Sequence, residues 1–116
     1  MKEDRKPQVI ERLIQAQIAC EAMAVSIEQY EAAIEELFKL ALMSCGSARC
    51  AAEVLLNFYD GSRWKVDLVD ICCRLDGHYF EMFITAVKGR ALLMREPQAV
   101  IANGEQRFRN LAEEWT

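Results

Sequence analysis

Apolar residues recur at Val9, Leu13, Ala16, Cys20, Met23, Ile27, Tyr30, Ile34, Leu37 and Ala41. Their spacing alternates four and three throughout, which predicts a helix with a continuous apolar seam. No Gly or Pro falls between Gln8 and Cys45, so nothing obliges the helix to stop, and the pattern predicts one helix over residues 8–44. At 1.5 Å per residue, about 36 residues span roughly 54 Å. The remaining 72 or so residues make a globule about 30 Å across. Such a helix outgrows the body beside it, so its seam must be covered by a second copy, by another partner, or by bending back.

The flanks of the seam say which arrangement suits it. With Leu13 at heptad position a, the e sites are Ile10, Gln17, Ala24, Glu31 and Phe38, and the g sites are Arg12, Ala19, Ser26, Ala33 and Leu40. A parallel zipper carries opposite charges there; these mostly small residues suit an antiparallel or bundled helix. A second apolar set, Ile14, Ile18 and Val25, asks for another neighbour. The expectation is a bundle member that forms a homodimer through Leu13, Cys20, Met23, Ile27, Tyr30, Ile34 and Leu37. A competing reading is a helical hairpin broken near Ser26, where Ser-Ile-Glu-Gln matches a capping box. The unbroken heptad phase through Ser26 favours the single helix.

Further along, Gly46 is expected to close that helix in the left-handed conformation, and Ser47 to cap a second one over Ala48–Phe58. Asp60-Gly61 reads as a turn. The alternation from Arg63 to Leu68 predicts an extended connection into a short helix, Leu68 to Cys73. The alternative is a β-hairpin near residues 54–68, disfavoured because a lone two-stranded hairpin is marginally stable. Asp76 N-caps a third long helix. Its stripes Phe80, Phe83, Ile84, Val87 and Tyr79, Met82, Ala86 make it apolar around its circumference and predict burial. Glu96-Pro97 opens a short turn, Asn103-Gly104 stops it, and a last helix runs from Glu105 to Trp115. The predicted fold is all-α and a single domain, residues 1–116. The long helix, 8–44, packs with three or four shorter helices in a compact helical body, 47–115.

Composition narrows the function classes. A chain of 116 residues that is 53% apolar and 28% charged excludes a mainly disordered protein. A net charge of −4 disfavours non-specific nucleic-acid binding, which needs a basic surface. Neither a signal-peptide core nor a run of 18 apolar residues occurs, so the expected setting is cytoplasmic, with no membrane partner. There the five cysteines are expected to be reduced thiols.

Candidate chemistry is sparse. Cys45-x4-Cys50 with Cys73-x4-His78 offers four soft ligands, but structural zinc sites use tighter knuckles, and Cys on an apolar face acts as a small hydrophobe. His78, with Asp76 or Asp70 as orienter, is a weak general-base candidate. No catalytic grouping, metal site or cofactor is expected. Tyr59, Arg63, Trp64 and Lys65 gather around the Asp60-Gly61 turn and mix the aromatic and cationic types enriched at interface hot spots; they are the candidate partner-binding residues. Glu21, Glu28 and Glu35 lie at heptad intervals and read as a solvated face; the spacing of Lys88, Arg90, Arg95, Arg107 and Arg109 does not place them on one face, and they read as solvated charge.

Leu-Leu-Asn-Phe-Tyr-Asp-Gly (55–61), Asp-Leu-Val-Asp-Ile (67–71), Leu-Asp (75–76), Glu-Pro (96–97) and Asn-Gly-Glu-Gln-Arg-Phe…Leu-Ala-Glu-Glu-Trp (103–115) carry a resemblance. The half of the chain from about residue 47 to 115 resembles a family of small uncharacterised proteins carried on mobile elements of Gram-negative bacteria. Gln98 stands where that family often has His after Glu-Pro. The resemblance implies a bacterial, mobile-element setting and brings no activity with it. The expected function is a small non-enzymatic interaction module that regulates or inhibits a partner protein. The alternatives are a dimeric nucleic-acid-associated regulator and a zinc or thiol protein using Cys45, Cys50, Cys73 and His78.

Overall fold

The computed structural model describes the backbone of residues 5–116 and the side chains there except those of residues 5–7, 20 and 22. Residues 1–4 lie outside the described residues, as does the Cys20 side chain of the proposed seam. Among the described residues there are seven helices and no strand: α1 (Arg5–Met23), α2 (Ile27–Ala41), α3 (Gly46–Tyr59), α4 (Leu68–Arg74), α5 (Gly77–Leu92), α6 (Pro97–Val100) and α7 (Gly104–Glu114). The all-α expectation holds.

The single helix over 8–44 does not. The chain leaves the helix after Met23 and re-enters it at Ile27. The break needs no Gly or Pro, because Ser26 supplies the hydrogen bonds that a continuing helix would have supplied. Its hydroxyl accepts from the Gln29 N–H at 3.1 Å, and its own N–H donates to Gln29 Oε1 at 2.8 Å. This reciprocal capping box satisfies two of the orphan donors at the start of α2. The chain does not fold back as a hairpin either, since no helix packs along α1 among the described residues.

The body is built around α2, which packs on α5 and α3, while α7 closes against α3 and α6. Tyr30, Ala33, Ile34, Leu37, Phe38 and Ala41 put one face of α2 into the core beside Leu55, Leu56, Ala86, Phe108 and Leu111. Tyr30, Ile34 and Leu37 are therefore consumed inside the chain. They are unavailable to the dimer seam assigned to them, because the body's own core has the first claim on them.

The hairpin reading also fails. Residues 54–59 belong to α3, and residues 64–67 pair with no strand. The Trp64 carbonyl instead accepts from the Asn57 side-chain amide at 2.6 Å, so a side chain takes the place of a ladder partner. Gly46 is the first residue of α3, not a left-handed cap, and no glycine among the described residues has positive φ. Cys45 occupies the N-cap, and Ser47 donates to the Arg74 carbonyl at 3.0 Å, which ties α3 to α4. The left-handed positions are Met94 and Asn103. The helix from Asp76 forms as expected and runs on to Leu92, but it buries one stripe, Phe83, Ala86 and Gly89, not its whole circumference. Ile84 and Val87 face outward.

The molecule measures 61 × 29 × 26 Å, with a radius of gyration of 17.7 Å. A compact chain of this length has a radius near 13 Å. The difference is the protrusion of α1 from the α2–α7 body.

Candidate functional site

α1 is a 19-residue helix, about 28 Å long, without a packed neighbour. Val9, Ile10, Leu13, Ile14, Ile18 and Met23 are each 48–64% exposed. At 100° per residue they occupy one broad arc, whereas Gln8, Glu11, Arg12 and Gln15 line a shallow groove on the other side. Gln17 and, near its C-terminal end, Glu21 interrupt the arc. Among the described residues no helix packs along this apolar arc. Of the seven residues assigned to the seam, Leu13 and Met23 lie on this arm and are exposed. Ile27 sits at the junction and is also open. The seam was thus a composite of one core face and one free face, continuous in sequence but not in space.

The aromatic and cationic residues at the α3–α4 turn do come together. Tyr59 stacks on Phe108 with centroids 5.1 Å apart and donates to Glu105 Oε1 at 3.0 Å. Burial first, and then the Glu105 hydrogen bond, push its phenol above the ordinary value. Arg63 lies over the Trp64 ring at 5.1 Å and donates to the Thr116 hydroxyl at 3.3 Å. Lys65 donates to the Gly61 carbonyl at 2.6 Å. Ser62 donates both its N–H and its hydroxyl to Asp60 Oδ1, which holds the Asp60 carboxyl below the usual range. Polar contacts are thus spent within the turn and on the C-terminal helix and the residue that ends the chain. Trp64 itself is half-buried against the core. A cleft of about 250 Å³ opens beside it between Tyr59, Arg63, Arg109 and Glu113.

The cysteine and histidine set is not gathered. Cys50 is buried in the core, where desolvation raises its thiol to about 11, so it is neutral and unreactive at physiological pH. Cys45 shares a polar groove of about 500 Å³ with Cys50, Arg49, Glu53, Asp67, Asp70 and Arg74. Cys73 is exposed and is not among the residues lining that groove. His78 points elsewhere, with Nε2 3.5 Å from Glu36 Oε2. No group of three or more His, Cys, Asp or Glu among the described residues is arranged to hold a metal ion. Neither Asp76 nor Asp70 forms an ion pair with His78; Asp70 pairs with Arg74 at 2.6 Å.

Sequence reasoning missed one constellation. Arg107, read as solvated, forms a bidentate pair with Glu35 at 2.5 and 3.0 Å, and its guanidinium lies 4.7 Å from the centre of the Phe38 ring. Its own charge is held more firmly as a result. Glu35, from the acidic heptad stripe, is thus an internal clamp between α2 and α7. The two residues are 72 positions apart, so no local pattern announces the pair.

The motifs from 55 to 115 prove to be fasteners of this body. Asn57 and Asp60 set the turn, Asp67 caps α4 by accepting from the Asp70 N–H at 3.2 Å, and Pro97 is buried in the first turn of α6. The model of a family of unknown function, DUF7673, matches residues 31–116, which takes in α2 after its first turn and everything beyond it, and leaves α1 and the start of α2 outside. No curated protein and no solved structure matches the chain.

Proposed function

We propose that this chain, which belongs to the family of unknown function DUF7673, is a non-enzymatic protein-interaction module. Its body, α2–α7, is a rigid base, and α1 is the arm by which it docks to another polypeptide and regulates it. The observation that carries this reading is the set of six large apolar side chains on a helix along which no other helix of the described residues packs. A helix polar on one face and apolar on the other is stable only when the apolar face is buried. A helix laid into a groove or beside another helix is recognised through anchors at such spacing. The polar face of α1 bears Glu11 and Arg12 among glutamines, with none of the lysine-rich character that draws a helix to an anionic membrane surface. No helix of the described residues is long and apolar enough to cross a membrane. The acidic net charge and the internal pairing of Arg107 weigh against a nucleic-acid surface. A cytoplasmic, mobile-element-borne regulator of Gram-negative bacteria is the setting that the resemblance in residues 47–115 suggests, and it is part of this proposal.

The test compares the tagged chain with an Ile14→Glu/Ile18→Glu variant, both recovered from the native source under mild conditions. The reading expects a stoichiometric polypeptide bound to the first and absent from the second, with the helical content of the body unchanged. Equal recovery of partners by both would sink it.

A further inference from the structure

We propose that residues 24–26 are a two-state joint: the capped break between α1 and α2 exchanges with one continuous helix over residues 5–41. The joint sets how the arm is carried, whatever the arm docks to. Ala24, Val25 and Ser26 include neither Gly nor Pro, so each enters a helix at small cost. The apolar spacing also runs through them undisturbed, from Ala16 and Met23 to Ile27 and Tyr30. A permanent break would leave the phases of the two helices independent. Joined, they set Val9, Leu13 and Met23 in line with Tyr30 and Ile34, and put Ile10, Ile14 and Ile18 on the opposite side.

Local contacts hold the break. Ser26 and Gln29 exchange the two bonds of the capping box. Partly buried Val25 and fully buried Tyr30 stand on either side of it, at the two positions of a hydrophobic staple. A cap of this kind favours the break about fivefold. The arm pulls the other way. A 19-residue helix along which no other helix of the described residues packs is marginal by itself, because it must form its own first turn. Continued from α2, whose inner face is fixed in the core, it needs no nucleus of its own. The two effects oppose each other, and the capped break is the arrangement seen here. A partner that touches both the arm and the body binds one arrangement better and shifts the balance toward it.

Backbone NMR chemical shifts of the full chain, with no partner present, read the joint at Ala24 and Val25. In the natural chain they are expected to lie near non-helical values. Ser26→Ala with Gln29→Ala removes both bonds of the cap and is expected to raise the helical fraction at these two residues severalfold, with α1 helical throughout. Adding Val25→Pro, which crowds the Glu21 carbonyl of a continuous helix, is expected to abolish that gain at Ala24. Gln29→Ala alone leaves the Ser26 hydroxyl in place and is expected to move the same shifts less, which keeps the test open if the double variant unfolds. Shifts at Ala24 and Val25 that do not move in either variant would overturn the joint. So would loss of helical shifts along α1, since the arm would then melt instead of joining. Helical shifts at both residues in the natural chain would overturn the cap as what holds the break.

Discussion

Gly89 lies where α5 crosses the Tyr30 ring. A methyl group there would fall within contact distance of the ring's Cγ and Cδ1, and the ring is fully buried. Neither partner has room to move, so Gly89→Ala is expected to cost about 1–3 kcal/mol as overpacking, read as a lowered urea midpoint with an unchanged slope. Tyr30 also donates to the Arg95 carbonyl at 2.8 Å, and burial raises its phenol to about 12. The folded value lies above the unfolded one, near 10, so this contribution is complete below pH 10 and is lost as pH rises toward 12. Tyr30→Phe is expected to flatten that alkaline loss while costing about 1 kcal/mol at neutral pH for the missing hydrogen bond. Thermal melts between pH 7 and 12 check both. Glu36 shifts the other way: hydrogen bonds from Lys39 first and His78 second hold its carboxyl low. Its stabilising effect is present above the ordinary carboxylate range and disappears as pH falls through the lowered folded value. Its NMR titration midpoint is expected to rise toward the ordinary value in Lys39→Ala.

Among the elements, α2 is the one on which the others depend, and its start is fixed by Ser26. Ser26→Ala removes the hydroxyl that accepts the Gln29 N–H and is expected to cost about 1 kcal/mol of body stability. Chemical denaturation followed at the tryptophans checks this. α7 is held to α2 by the Arg107–Glu35 clamp and the edge-to-face contact of Phe38 with Phe108, centroids 4.9 Å apart. It is held to α6 by the approach of Gly104 to the Gln98 carbonyl, where no Cβ fits. The helices from α3 to α7 were legible in the sequence because most are bounded by a local signal: Asp60-Gly61 after an apolar run, Asp76 before one, Glu96-Pro97 at a helix start and Asn103-Gly104 before the last helix. The break before α2 was visible as a capping box, but heptad phase outweighed it. An undisturbed phase shows only that two helices would share a face if they were joined.

At the scale of the molecule, the protein is a six-helix body with a free arm. Removing residues 1–23 is expected to leave the melting midpoint of the body within about a degree, since α1 contributes no packing to it; a scanning calorimetry comparison with the full chain checks this. The matched family span leaves out the arm but begins inside α2, so it also leaves out Ser26 and the buried Tyr30, which belong to the body. The turn residues Tyr59, Arg63, Trp64 and Lys65 were identifiable from composition around a turn, yet their contacts are mostly with one another and with α7. Their composition marked the place and not the use.

Residue patterning alone determined that the chain is helical, where α3, α4, α5 and α7 run, and that the N-terminal stretch carries more apolar surface than a body of this size can absorb. Local hydrogen bonding and 3.6-residue periodicity act over a few positions, and those positions are adjacent in sequence. Only the tertiary structure decided which half of that stretch enters the core, that Tyr30, Ile34 and Leu37 are spent there, and that Glu35 meets Arg107. Those outcomes depend on which distant surfaces compete for the same side chain, and the competition is settled by packing.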